Sequence, residues 1–145
     1  MNHLKFLIAA GALALCSSAA LVAQDAAQEA KNQRLVLNWY RDVIAYGHVD
    51  LANKYMADDF VEHSANVSGG RADFVAYHGK MPAKPLQAAL PREPYKILTK
   101  GDYVVLVWEI EDEDAKGVKY KYNNFDVVRV ANGKIAEHWD SLLKN

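Results

Sequence analysis

The chain has 145 residues, with 17 Lys and Arg against 18 Asp and Glu, and 51% of its residues are hydrophobic. This size and composition fit one globular domain with a single core, and they exclude a disordered or collagen-like chain. A net charge of −1 with scattered basic residues offers no electrostatic surface for nucleic acid, so we expect no such partner.

The first 23 residues are typical of a secretory signal peptide. A short basic start, Met1 to Lys5, precedes an apolar run from Phe6 to Leu15, and small residues follow it. The run is too short to cross a bilayer as a permanent anchor. Cleavage after Ala20 or after Ala23 fits equally well, and the second cut leaves a domain of residues 24–145. We therefore expect an exported protein, periplasmic or secreted, with no permanent membrane span.

The one cysteine, Cys16, lies inside this predicted signal segment. The residues from Leu13 to Cys16 resemble a bacterial lipobox, in which the cysteine receives a lipid. That motif requires a small residue directly before the cysteine, and Leu15 is not small. Lipid anchoring at Cys16 is therefore the weaker alternative, and the processed chain would contain neither a thiol nor a disulfide.

Three helices are predicted in the first half of the domain. Apolar residues recur at helical spacing between Ala26 and Ala45, without Gly or Pro. Val49 to Met56 is a short second helix, and Arg71 to Lys80 is a third. We expect irregular chain between the second and third helices and in the proline-rich segment from Pro82 to Pro94.

From residue 95 onward the pattern becomes that of strands. Four strands are predicted, at Tyr95–Thr99, Tyr103–Glu111, Val118–Val130 and Ile135–Leu142. Asn132-Gly133, between the last two, is a strong hairpin signal. Helices followed by an antiparallel meander predict an α+β domain, with the helices packed on one face of a curved sheet.

Asp126 is the first candidate for a catalytic residue. Because side chains alternate along a strand, it shares a face with Tyr122, Asn124 and Val128. A carboxylate on this apolar face is costly unless it is paired, hydrated in a cavity or held protonated. Such a group suits general acid or base catalysis near pH 7. The alternative is a structural Asp that bonds to the backbone, to Arg or to His.

His138 is the second candidate, because it shares a face of the last predicted strand with Asp140. The two residues form either a proton relay or the polar rim of a half-exposed strand. The chain's other histidines do not occur with it at paired ligand spacing, and processing removes the cysteine, so we expect no metal site. Nothing in the sequence points to a nucleotide or another cofactor.

Three segments resemble one protein family. The residues from Asp126 to Asp140 are similar to the C-terminal signature of SnoaL-like proteins, which belong to the nuclear-transport-factor-2-like (NTF2-like) superfamily of cone-shaped α+β domains. Tyr55 to His63 resembles the family's Tyr, short acidic turn and His, and Gly70 to Val75 resembles the start of its third helix. The resemblance extends from about Asn32 to Leu142 and is more specific for the fold than for the reaction. It implies three N-terminal helices on a strongly curved antiparallel sheet that encloses a pocket, usually in a homodimer formed through the outer sheet face.

The resemblance also implies acid/base chemistry without a cofactor. Polyketide cyclases of the family catalyse an intramolecular aldol condensation, and their acid/base Asp matches Asp126. Related ketosteroid isomerases use an Asp general base as well. A family His in the pocket matches His63, which with a pocket tyrosine, Tyr40 or Tyr122, would polarise the developing enolate.

We therefore expect an acid/base enzyme of the cyclase, isomerase or lyase type that acts on a small hydrophobic carbonyl compound. The candidate catalytic residues are Asp126, His63 and His138. The candidate substrate-binding residues are Tyr40, Tyr55, Tyr122, Asn124 and Trp139. Two alternatives stay open, a non-catalytic module that binds a small apolar ligand in the same pocket and a structural dimer with a vestigial pocket.

Overall fold

The structure, a computed structural model, describes the backbone of residues 4–142 and the side chains of residues 21–142 apart from residue 68. The helical elements are α1 (Leu4–Trp39), a π-helical turn (Tyr40–Ala45), a 3₁₀ turn (Val49–Leu51), α2 (Ala52–Tyr55) and α3 (Arg71–His78). The strands are β1 (Met56–His63), β2 (Ser68–Gly70), β3 (Lys96–Lys100), β4 (Tyr103–Glu113), β5 (Lys119–Ala131) and β6 (Lys134–Asp140). The predicted α+β class is confirmed.

The six strands form one open sheet in the order β2-β1-β6-β5-β4-β3. The predicted meander from β3 to β6 is antiparallel throughout. In its last turn Asn132 and Gly133 both have positive φ, 52° and 72°, as a tight hairpin of this kind requires.

The prediction of irregular chain at β1 and β2 is wrong. Both segments are strands, and β1 pairs in parallel with β6, so the sheet is mixed rather than wholly antiparallel. The reason is the unusual burial pattern of β1, in which the apolar Val61 is exposed and the charged Glu62 is buried. This reversal hides the usual alternation of apolar buried and polar exposed residues that identifies a half-buried strand.

The first helix packs along the inner face of the sheet. Val36 and Trp39 of α1 and Val43 of the following π-helical turn are fully buried and belong to one core with residues of β4, β5 and β6. Burial of such side chains is the main stabilising term of the fold. Asn32 donates to the Gly101 carbonyl at 3.0 Å and thereby ties α1 to the turn between β3 and β4. A helix is confirmed over the range predicted from residue 26 to 45, but it starts earlier, at Leu4, and its last six residues form the π-helical turn rather than α-helix.

The remaining helical predictions hold with shorter bounds. The second helix is divided into the 3₁₀ turn and the single turn α2. The third, α3, ends at His78, and the Gly79 N–H donates to the Val75 carbonyl at 2.9 Å. Residues 79–95, which we call the strap, have no regular structure, as predicted for the proline-rich part. Within the described residues, no helix combines the length and the apolar character needed to cross a membrane.

Candidate functional site

Four buried polar side chains follow one another across the inner face of the sheet. They are Glu62 on β1, His138 on β6, Asp126 on β5 and Trp108 on β4, and we call them the polar row. Each is at most 6% exposed. The pairing of Glu62 with His138 brings β1 and β6 together, and β5 and β4 follow as the next two strands. The four side chains therefore lie next to one another because their strands are neighbours in the sheet.

Continuous hydrogen bonds join the members of the row. His138 Nδ1 lies 3.0 and 2.9 Å from the two oxygens of Glu62, and its Nε2 lies 3.2 Å from Asp126 Oδ1. Trp108 Nε1 donates to the other oxygen of Asp126. The backbone N–H of Ser64 donates to Glu62 at 3.0 Å. Each carboxylate is thus fixed by two N–H groups.

His138 carries a positive charge at neutral pH. Burial by itself would lower the pKa of His138, but the hydrogen bonds to Asp126 and Glu62, together with their negative charges, raise the pKa to about 9. The ring therefore donates from both nitrogens. A buried carboxylate is tolerable when it is paired, hydrated in a cavity or protonated, and Asp126 is paired, with the His138 imidazolium. With both carboxylates ionised, the Glu62–His138–Asp126 group has a net charge of −1.

Three members of the polar row, Glu62, His138 and Asp126, form one wall of a cavity of about 100 Å³, which we call the inner pocket. Tyr40 and Ile44 of the π-helical turn face it, as do His78 of α3 and Asp140 of β6. At roughly 30 Å³ per water molecule, the cavity has room for about three waters, or for one reacting group of a ligand. A groove of about 440 Å³, lined in part by Tyr122, shares four lining residues with it and can hold the rest of a larger ligand.

Tyr40 presents a protonated phenol to the inner pocket. Its ring stacks on Trp108 with the centroids 4.5 Å apart. Burial, and then the charge of Asp126, raise the pKa of Tyr40 above its usual value, so that the hydroxyl stays a donor. Among the residues that the structure describes, no group accepts a hydrogen bond from this hydroxyl. It is therefore available to a ligand.

His78 contributes a neutral imidazole. Its ring packs on Phe74 with the centroids 4.2 Å apart. Burial, and then the nearby charge of His138, lower the pKa of His78. The inner pocket therefore combines one cationic and one neutral histidine. Within the described part of the chain, no group of three His, Cys, Asp or Glu residues is arranged to hold a metal ion.

The π-helical turn determines where Tyr40 lies, and a buried carboxylate supports it. Asp42 accepts from Arg41 Nε at 2.7 Å and from the Tyr55 hydroxyl. Burial would raise the pKa of Asp42, but these hydrogen bonds and the adjacent charge of Arg41 lower it. Tyr55, predicted to bind substrate, thus holds this turn and does not line the inner pocket.

The structure brings four of the predicted site residues to the inner pocket and leaves others outside it. Asp126, His138, Tyr40 and Asn124 line the pocket, whereas Tyr122 lines only the adjoining groove.

His63 and Trp139 lie elsewhere, on the outer face of the sheet. Their rings stack in parallel with the centroids 4.5 Å apart, and His63 Nε2 lies 2.9 Å from Glu137. The expectation that His63 enters the pocket is therefore corrected. As β1 is a strand, its neighbour Glu62 points inward and His63 points outward.

Sequence reasoning missed Glu62 and Trp108 as members of the site. Glu62 was overlooked because no strand was predicted there. Phe60, Glu62 and Ser64 are all buried on one face of this segment, but two of the three are polar, so the sequence gives no apolar alternation that would reveal the face. Trp108 lies within a predicted strand, but nothing local distinguishes its indole N–H from that of a packing residue.

Comparison with known proteins identifies the family. The family model for the SnoaL-like domain matches residues 36–138. The chain belongs to this SnoaL-like family. A search of curated proteins finds no match.

Solved structures with the same fold come from several bacteria. A candidate SnoaL-like polyketide cyclase from a Jannaschia species is 18% identical, with a TM-score of 0.55 over 77% of this chain and 85% of that one. An NTF2-like protein from Burkholderia xenovorans is 14% identical, with a TM-score of 0.56 over 77% and 88%. AclR from Streptomyces galilaeus, a candidate hydroxylase, is 21% identical, with a TM-score of 0.54 over 79% and 76%. At these identities the likeness establishes the fold, and the chemistry has to be inferred from the site itself.

Proposed function

We propose that this SnoaL-like protein is a cofactor-independent acid/base enzyme that removes a proton from the carbon next to a carbonyl group. The observation that carries the proposal is the position of Asp126, a buried carboxylate fixed by two N–H donors on the wall of the inner pocket. A carboxylate has about four acceptor positions. Two are used by Trp108 and His138, so Asp126 retains acceptor capacity for a substrate proton.

The proposed reaction uses Asp126 as the base and Tyr40 as the hydrogen-bond donor. The substrate carbonyl oxygen accepts from the Tyr40 hydroxyl, and Asp126 takes the proton from the adjacent carbon. The electron pair of the broken C–H bond forms the carbon–carbon double bond of the enolate, and the carbonyl π pair moves to the oxygen, where the phenol stabilises the negative charge. Return of the proton from Asp126 to another carbon gives an isomer. Attack of the enolate carbon on a second carbonyl of the same molecule instead closes a ring, and the alkoxide that forms takes the proton back from Asp126.

His138 acts in this proposal through Asp126. Both of its nitrogens already donate to carboxylates, so the imidazolium orients Asp126 rather than contacting the substrate. The sizes of the cavities support a small substrate. The inner pocket has room for the reacting carbonyl, and the groove beside Tyr122 and Asn124 can hold an apolar remainder.

Proton exchange in D₂O tests the proposal without knowledge of the natural substrate. The purified chain is incubated with a panel of small ketones and 1,3-diketones, and the loss of signal from protons beside the carbonyl is followed by NMR. We expect at least one compound to exchange faster than in protein-free buffer. Binding without accelerated exchange would instead favour the second candidate function, a ligand-binding module that uses the same small pocket. If no compound either binds or exchanges faster than in protein-free buffer, the proposal is overturned.

We also propose that a second copy of this chain covers the outer face of the sheet. Leu98, Tyr103 and Phe125 are 60%, 47% and 42% exposed, and half-buried apolar residues of β4 and β5 lie between them. Apolar surface of this kind commonly marks a protein interface. Light scattering on the purified protein should give twice the chain mass, and a single chain mass would contradict the proposal.

Export after removal of the first residues is a further proposal. Leu21 and Val22 are 62% and 69% exposed. Among the described residues, the hydrogen bonds from α1 to the sheet begin at Glu29, whose carboxylate accepts from the Gly101 N–H at 2.9 Å. Cleavage after Ala20 or Ala23 would therefore leave these contacts intact. The mass of protein recovered outside the cytoplasm tests both cleavage positions, and recovery of the uncleaved chain inside the cell would contradict them.

A further inference from the structure

A second cavity, of about 230 Å³, adjoins the inner pocket, and we call it the outer pocket. Tyr40 and Asn124 line both cavities. Trp108 lines the outer pocket, while its indole N–H reaches Asp126 in the wall of the inner one. The stacked Tyr40–Trp108 pair therefore lies between the two. A ligand that passes this pair can occupy both cavities at once.

The two cavities have opposite charge. The inner pocket is lined by the carboxylates of Glu62, Asp126 and Asp140 and by the imidazolium of His138. The charged residue that lines the outer pocket is Arg92. Within the described residues, the Arg92 guanidinium has neither an ion pair nor a hydrogen bond. An anionic group is thus repelled from the inner pocket and attracted to the outer one.

Tyr40 lies within reach of both charges. Burial is the main cause of its raised pKa, the charge of Asp126 raises the pKa further, and the charge of Arg92 lowers it. The same phenol is therefore influenced by the proposed base and by this guanidinium. Because Tyr40 and Asn124 line both cavities, a small molecule that extends from the inner pocket into the outer pocket would contact both groups.

Hydrogen bonds anchor the backbone of the strap around Arg92, although the strap has no regular secondary structure. Its backbone is anchored before and after residue 92. The anchoring hydrogen bonds are Lys84 N–H to the Tyr46 carbonyl at 2.8 Å, the Tyr46 hydroxyl to the Ala89 carbonyl at 3.0 Å, Arg41 Nη1 to the Ala88 carbonyl at 3.3 Å, and Tyr95 N–H to the Val107 carbonyl at 2.7 Å. The preceding Pro91 further restricts the backbone at this point. These anchors hold the backbone of the strap, and with it the Cα of Arg92, beside the outer pocket.

We propose that Arg92 binds the carboxylate of an oxo acid whose carbonyl group lies between Tyr40 and Asp126. This inference rests on the proposed function and specifies its substrate class. A guanidinium pairs with a carboxylate through two parallel N–H bonds, which fixes orientation as well as position. The acidic inner pocket prevents the reverse orientation. Arg92 would therefore determine which end of the substrate meets the base.

Matched acids and esters test the role of Arg92. The probes are 4-oxopentanoate, 5-oxohexanoate and their methyl esters, and dissociation constants are measured by NMR titration at low salt. Arg92 is exposed, so the wild-type chain should bind at least one acid roughly two- to fivefold more tightly than its ester, the range expected for one exposed ion pair. Arg92→Gln should abolish this preference without weakening the binding of the ester. Lys84→Gln, the same loss of charge elsewhere on the strap, should keep it.

The possible failures of the two proposals are distinguishable. The inference is overturned if the wild-type chain shows no preference for either acid, if the preference survives Arg92→Gln, or if Lys84→Gln removes it. Exchange of the ester protons beside the carbonyl is measured in the same samples. Exchange without an acid preference contradicts the inference alone, whereas an acid preference without exchange supports the role of Arg92 and contradicts the proposed reaction.

Discussion

Asp126→Asn is expected to slow exchange of the proton beside the carbonyl by roughly 10²–10⁴-fold, the usual contribution of a general base. The amide has nearly the same shape as the carboxylate but cannot accept the proton. Its oxygen can still accept from one of the two N–H donors, Trp108 or His138, while its NH₂ group faces the other. The rate should therefore fall much more than the affinity for a ketone.

Asp140→Asn is the matched comparison for this variant. Asp140 is the register partner of Asp126 on β6 and lines the same pocket. Among the described residues, its carboxylate accepts a hydrogen bond from the Leu142 N–H at 3.1 Å and contacts neither Trp108 nor His138. We expect a loss of less than about tenfold, since a missing charge near the site changes the field without removing the base. A larger loss in Asp140→Asn than in Asp126→Asn would identify Asp140 as the base instead.

His138→Ala should lower the free energy of unfolding by about 3–5 kcal/mol at pH 7, because it leaves two buried carboxylates without their shared cation. Glu62 and Asp126 would then face each other across a small cavity with fewer donors. Removal of one partner from a buried ion pair is among the most destabilising single changes. Urea unfolding of both proteins measures the difference.

His63→Ala is the matched control on the same sheet. His63 also pairs with a carboxylate, Glu137, but it lies on the outer face, with a side chain that is 35% exposed. Solvent screens such a pair, so its loss should cost less than about 1 kcal/mol. If the two variants are destabilised equally, the buried histidine has no special role in stability.

The same ion pairs predict how stability depends on pH. The pKa of His138 rises from an ordinary value of 6.5 to about 9 in the folded state, so folding favours the protonated ring. This stabilisation is fully present below pH 6.5 and is lost as the pH rises through about 9. The wild-type chain should therefore lose stability over this interval, and His138→Ala should show a flatter profile. Urea unfolding at a series of pH values measures both.

The part of the site that lies on one strand could be predicted from the sequence, because alternation along a strand is a local property. Alternation puts Asp126 and Asn124 on the apolar face of the predicted strand, and both line the pocket. The signature near the C-terminus and the Asn132-Gly133 turn also indicated the family and the last hairpin correctly.

The part that depends on distant pairing could not be predicted. Glu62 and His138 meet although 76 positions separate them, and they do so only because β1 joins the sheet in parallel with β6. A parallel pair has no tight turn that would reveal it in the sequence. Because β1 is not predicted as a strand, the sequence also gives no indication that His63 points to the outer face. The position of Tyr40 likewise depends on a π-helical turn, which apolar periodicity at 3.6 residues does not detect.

Protonation of His138 at neutral pH is the central feature of this account, and NMR of the ring nitrogens measures it directly. The full chain is prepared with ¹⁵N-labelled histidine, and the His138 signals are assigned with a His138 variant and followed from pH 5 to pH 10. Both nitrogens should give the shifts of a protonated imidazolium at pH 7 and should titrate at about pH 9. A neutral ring at pH 7, with titration near the ordinary value of 6.5, would contradict the account.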